Sequence, residues 1–186
     1  WVTVGDPGNS NDTTGYGAVN YEYQIAKYKV TIQQYTDFLN AVAATDTYWL
    51  YNPDMASNLN IAGIPRAGSS GSSSYSVIGS SGNKPITYVS WFDAARFANW
   101  MHNGQGSGST ETGAYTLGGA ISGNAVAKNA GATFYIPTEN EWYKAAYYKG
   151  SGTNAGYWDY ATQSDTAPGN TIGSGTNQAN YRRSNV

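Results

Sequence analysis

The chain has no cysteine. That removes disulfides, thiolate metal sites and cysteine nucleophiles together. Histidine is almost missing as well: His102 is the only one in 186 residues. Charged residues make up 12% of the chain, about half the usual quarter, and the formal net charge is -2. With no basic run, a surface for nucleic-acid phosphates is excluded. No apolar stretch approaches the ~20 residues a membrane-spanning helix needs, so no membrane span is expected. The sequence begins at Trp1 rather than at Met. With the sparse charge, this leads to the expectation of export after signal-peptide cleavage, hence a secreted, extracellular or cell-surface protein.

What replaces charge is Gly (23 residues), Ser, Thr and Asn, which implies a surface solvated by hydroxyls and amides. Aromatics are 15%, with 17 Tyr and 6 Trp, so an aromatic-rich core is expected. The length suits one domain over residues 1–186.

Three segments carry a shared device. Ser90 precedes a helical pattern with Asp93 at the third helical position, Thr138 does so with Glu141, and Thr31 with Gln34. A cap hydroxyl satisfies an orphan backbone N–H, and an acid or amide at the third position reaches back to the cap. Each box follows a strand-like run. Tyr21, Tyr23 and Ile25 alternate with polar residues, which predicts a half-buried strand. From Thr31 the period changes, and Ile32, Tyr35, Phe38, Leu39 and Val42 predict a helix over 32–43. The second helix is expected from Trp91 to about Asn103, with Trp91, Ala94, Ala95, Ala98 and Met101 on its apolar face. The third is expected over about Glu139–Tyr148. Short strands are expected at Trp1–Val4, Tyr75–Ile78, Tyr115–Leu117 and Ala132–Ile136, with turns beyond Gly150. The order predicts a loop-rich α+β domain with three capped helices and short strands.

At Tyr23-Gln-Ile-Ala-Lys-Tyr-Lys-Val-Thr31, Tyr35-Thr-Asp-Phe-Leu39, Val89-Ser-Trp-Phe-Asp-Ala-Ala95 and Ile136-Pro-Thr-Glu-Asn-Glu-Trp142, the chain resembles the formylglycine-generating enzyme (sulfatase-modifying factor) family. The resemblance runs through roughly residues 2–181. It implies a loop-rich variant of the C-type-lectin fold. In catalytic relatives two cysteines near the C-terminus bind copper and oxidise a substrate cysteine; no residue here can inherit that role. A branch with a multi-histidine iron site is excluded in the same way, because His102 stands alone. The resemblance also implies calcium: Ala179-Asn180-Tyr181 fits a ligand segment, with the Asn180 side chain and the Tyr181 carbonyl as ligands. Calcium takes ~6–8 oxygens, so others must join them. The family's closing motifs do not follow, which leads to the expectation that the C-terminal part of the fold is absent. Another chain would then complete the core, or the protein would form a homo-oligomer or filament, with Trp1–Val4 as an edge or donated strand.

Bland readings account for most other signals. Glu139 and Glu141 as an acid–base pair yield to helix capping. Trp91, Trp100 and Trp142 as sugar platforms yield to core packing, and Trp158 with Tyr157 and Tyr160 is the expected exposed aromatic group. His102 suits the negative end of a helix. The Gly104–Gly108 run follows a helix instead of joining a strand to one, so it is no phosphate loop. Asp159, Asp165, Asn170 and Asn180 serve turns or calcium alike. Asn11-Asp-Thr13 is a glycosylation sequon. The function these readings favour is a non-catalytic structural or binding module. The alternatives are the scaffold of an oxidase whose catalytic region lies elsewhere, or a calcium-dependent binder of glycans or proteins.

Overall fold

The computed structural model describes residues 1–180 except Leu59, Ser151, Asn154, Ile172 and Ser174. In chain order the elements are β1 (Val2–Val4), β2 (Tyr23–Ile25), α1 (Ile32–Val42), α2 (Asp54–Ser57), β3 (Arg66–Ala67) and β4 (Ser74–Tyr75). A 3-10 turn over Ser81–Asn83 follows, then α3 (Trp91–His102), α4 (Glu139–Tyr147), β5 (Tyr148–Gly150) and β6 (Gly156–Tyr157). Helices and short antiparallel pairs occupy separate stretches, which is an α+β arrangement. The chain clusters into two compact units, one of residues 28–136 and one of residues 1–27 with 137–186.

The unit of residues 28–136 is built on α1 and α3. Thr31 accepts from the Gln34 N–H at 3.2 Å, and the Gln34 side chain takes the Thr31 N–H at 2.9 Å. From that start α1 turns Ile32, Tyr35, Phe38 and Leu39 inward. Phe38 packs within 5.4–5.5 Å of the rings of Tyr35, Phe97 and Trp100. Such ring pairs add to the transfer free energy of burial. Tyr35, fully enclosed, donates to the Leu50 carbonyl at 2.8 Å, so its hydroxyl is not left unpaired. Gly63 passes so close to α1 that a Cβ there would lie 2.4 Å from Ile32 Cδ1. β3 and β4 form a hairpin with Arg66 opposite Tyr75, and Asn40 of α1 extends it by bonding both the N–H and the carbonyl of Tyr75 at 2.9 and 2.8 Å.

α3 differs from its expected face. Ser90 and Asp93 form the box (3.2 and 2.8 Å), but the buried residues are Phe92, Asp93, Ala95, Arg96, Ala98, Asn99 and Trp100. Phe92, Ala95, Arg96 and Asn99 lie at helical spacing, so two polar side chains share the inner face with apolar ones. Two further expectations are corrected. Tyr115–Leu117 and Ala132–Ile136 are not strands. Their backbone groups are taken by other partners: Asn99 bonds both the N–H and the carbonyl of Tyr115, at 2.7 and 3.0 Å, and the Ile136 N–H donates to the Tyr115 hydroxyl at 2.9 Å.

In the other unit β1 pairs antiparallel with β2, with Val2 opposite Ile25 and Val4 opposite Tyr23. Trp1–Val4 therefore contributes an edge strand that pairs within its own chain. β5 and β6 form a hairpin with an irregularity between Tyr148 and Gly150; β5 starts at Tyr148, where the helix was expected to end, and β6 lies beyond Gly150, where turns alone were expected. α4 opens on the third box, with Thr138 accepting from the Glu141 N–H at 3.2 Å.

Candidate binding surfaces

α4 organises the first surface. Glu141 is wholly enclosed: Oε2 takes the Thr138 N–H at 2.7 Å, Oε1 takes the Tyr21 hydroxyl at 2.7 Å, and Tyr23 donates to the Glu141 carbonyl. Glu139 is exposed, so the two acids do not share a site. Burying Glu141 and Lys144, one turn apart, rotates Trp142 outward to 51% exposure. Trp142 is therefore not a core residue, unlike the half-buried Trp91 and the buried Trp100. Trp158 is half-buried under Lys149, whose Nζ lies 4.3 Å from the ring, while Tyr160 is exposed.

Beside Trp142 stands a run of tyrosines. Tyr147 lies 6.1 Å from Trp142 and 4.8 Å from Tyr143; Tyr143 lies 6.0 Å from Tyr16 and 5.6 Å from Tyr157. Acids and carbonyls of the N-terminal loop fix the hydroxyls of Tyr143, Tyr157 and the neighbouring Tyr148. Tyr143 donates to Asp12 at 2.5 Å, which holds that carboxyl below the usual range. Tyr148 donates to Asp6, and this bond pushes the Tyr148 hydroxyl up to about 12. Lys144 Nζ donates to the Asp6 carbonyl at 2.8 Å, and burial lowers its pKa. Tyr157 donates to the Ser10 carbonyl at 2.8 Å. Gly17, at φ +101°, leaves room for that ring: a Cβ there would sit 2.5 Å from the Tyr157 hydroxyl.

The acids and amides named with the calcium expectation have these surroundings. Asp165 is held by Lys149 at 2.9 Å and by the Asp159 N–H at 3.1 Å, and Lys149 keeps its carboxyl low. Asn180 is exposed, and Tyr181 lies outside the described residues. Among the described residues no three His, Asp or Glu side chains stand close enough to share a metal. His102 is fastened at the end of α3, where Nδ1 accepts from the Thr133 N–H at 3.2 Å and lies 2.8 Å from the Thr133 hydroxyl. The glycine run after it is closed by Trp100, which donates from Nε1 to the Gly106 carbonyl at 2.9 Å. Asn11 is exposed, with Oδ1 taking the Ala18 N–H at 2.8 Å.

A second surface lies in the unit of residues 28–136. Asp46, Thr47, Tyr48, Gly108, Ser109 and Thr110 help to line a hollow of about 170 Å³. Asp46 adopts φ +55° and takes the Leu50 N–H at 2.8 Å and the Tyr51 N–H at 3.4 Å, with Arg66 at 3.8 Å. Beneath the hollow the Arg96 guanidinium lies 4.1 Å from the Tyr48 ring centre. Neither Asp46 nor Arg96 carries a signal in the sequence, since one stands in a loop and the other in a helix rich in alanine.

Burial raises the Asp46 carboxyl above its ordinary value. A raised folded-state pKa stabilises below the unfolded value and is lost as pH rises through the folded one. Asp46→Asn removes this titration while keeping an acceptor for Leu50. Thermal melts from acid to neutral pH are expected to show the variant gaining on the wild type as pH rises. A constant difference would mean Asp46 titrates alike in both states.

Comparison with known families matches residues 13–186 to the sulfatase-modifying factor enzyme 1-like domain. Comparison with curated proteins and with solved structures finds no match.

Proposed function

Because the chain belongs to the sulfatase-modifying factor enzyme 1-like domain family, whose fold is a C-type-lectin variant, we propose that it works by binding, as a subunit of an extracellular oligomer or filament. The family's oxidation chemistry has no residue to carry it here, since the sequence holds no cysteine and only His102 among histidines. The observation that carries the proposal is the aromatic surface of α4, with Trp142 and Tyr16 at 51% and 41% exposure beside Tyr143 and Tyr147. Tyr143, tied by its bond to Asp12, loses little freedom on docking, and tyrosine buries much area at little rotamer cost, which suits contacts between proteins. A large indole left in water beside these tyrosines is the kind of anchor that dominates such interfaces.

Sedimentation velocity tests the proposal. The wild type is expected to associate between micromolar and submillimolar concentrations, and Trp142→Ala to shift the species to monomer without lowering the melting temperature. A wild type that stays monomeric throughout that range overturns it. So does an oligomer that Trp142→Ala leaves intact.

A further inference from the structure

The hollow beside Asp46 has a lining that the self-association of α4 does not use. Thr47, Tyr48 and Thr110 help to line it, and none of their hydroxyls hydrogen-bonds within the described protein. Thr110 is only 5% exposed, so its hydroxyl has little bulk water to turn to. Asp46 keeps acceptor capacity beyond its two backbone bonds, since a carboxylate offers about four lone-pair sites. At about 170 Å³ the space is well below the ~300 Å³ at which sites for drug-sized ligands begin, so it suits one small ring or the end of a chain.

The same loop presents an aromatic platform. Trp49 lies between Tyr48 and Leu50, which both line the hollow, yet its own side chain is 74% exposed. Its backbone sits at φ +57°, closed by the Trp49 N–H bonding the Asp46 carbonyl at 3.2 Å. That region is costly for a bulky side chain, by ~1–3 kcal/mol. The loop thus holds an indole in solvent between two residues that line a polar recess.

The ligand class follows from the chemistry. An apolar ligand would strand the hydroxyls. A phosphate or other anion meets the Asp46 carboxylate in a protein of net charge -2. A cation would compete with Arg66, at 3.8 Å from the same carboxylate. A neutral polyhydroxylated ring meets all three conditions: its hydroxyls exchange hydrogen bonds with Thr47, Tyr48, Thr110 and Asp46, and its C–H face stacks on an indole. We infer that the Asp46–Leu50 loop and residues 108–110 form a saccharide-binding subsite, with Trp49 as the stacking platform and Thr110 and Asp46 as the polar contacts. No metal takes part.

The test is a titration of the full chain with neutral methyl hexosides and with cello-, malto- and chito-trioses, read by indole fluorescence and NMR, in the presence of EDTA. At least one sugar is expected to saturate at millimolar concentration or below. Trp49→Ala should weaken it at least tenfold with an unchanged melting temperature, and Thr110→Val about threefold. Trp49→Phe should restore part of the loss. No saturation by any sugar overturns the inference, as does undiminished binding by Trp49→Ala, or a nucleoside monophosphate that binds more tightly than every sugar. The self-association of the α4 surface is read by a different measurement, so the failure of either proposal leaves the other standing.

Discussion

Asn99→Leu is expected to cost about 4 kcal/mol, because each buried backbone group left unpaired costs ~1–3 kcal/mol. Asn99 is wholly buried; its Nδ2 donates to the carbonyls of Thr110 and Tyr115 at 2.7 and 3.0 Å, and its Oδ1 takes the Tyr115 N–H at 2.7 Å. Leucine matches the size but strands all three groups. At the sensitivity usual for this chain length the melting temperature should fall by about 10 °C. Asn99→Asp separates lost bonds from lost shape: it keeps the acceptor and points its second oxygen at two carbonyls. That arrangement raises the folded-state pKa of the introduced acid, so the variant should recover stability as pH falls and lose it as pH rises. Melts in which Asn99→Leu drops by less than a third of the expected shift would mean that water takes over the stranded groups.

Arg96→Ala is the second large effect. Arg96 has no exposed surface, bonds Glu111 through Nε at 2.7 Å and Nη2 at 3.2 Å, and gives Nη2 also to the Ala120 carbonyl at 2.9 Å. Removing one partner of a buried pair costs ~3–5 kcal/mol because the other charge loses its compensation. Glu111 retains 16% side-chain exposure, so water relieves part of this, and about 3 kcal/mol is expected. Arg96→Met with Glu111→Met should return more than half of that loss, because an apolar pair strands no charge. Urea unfolding reads both. A double variant as unstable as Arg96→Ala would show that the guanidinium's stacking on Tyr48, rather than its charge, is what holds the loop.

The starts of the helices were legible because capping is local chemistry. Thr31, Ser90 and Thr138 meet partners three residues away, and sequence displays that spacing directly. The same holds for α1, whose period-3.6 pattern ends within a residue of Val42. Legibility fails where bonds cross long separations. Tyr115–Leu117 carries the aromatic and β-branched residues of a strand, yet Asn99, sixteen positions earlier, takes its backbone groups. Trp142 looks like core from its type alone. It points outward because Glu141 and Lys144 find partners in Tyr21 and Asp6 that make their burial tolerable. Trp49 shows no pattern at all, since a left-handed backbone at a non-glycine residue leaves no periodic trace.

Tyr148 and Asp6 are bonded across a separation of 142 residues, and Lys144 and Asp6 across 138. One compact unit is thus interrupted in sequence by the whole of the other, residues 28–136. During synthesis the N-terminal segment emerges first and has to wait for α4. At ~5–20 residues per second the ribosome imposes a delay of roughly 5 to 20 seconds. The inserted unit is contiguous in sequence and carries its own aromatic core. The discontinuous unit pays a loop-closure entropy across the whole insert before its N-terminal contacts form. Order of translation and order of assembly are therefore inverted: the first residues made are among the last to find their partners.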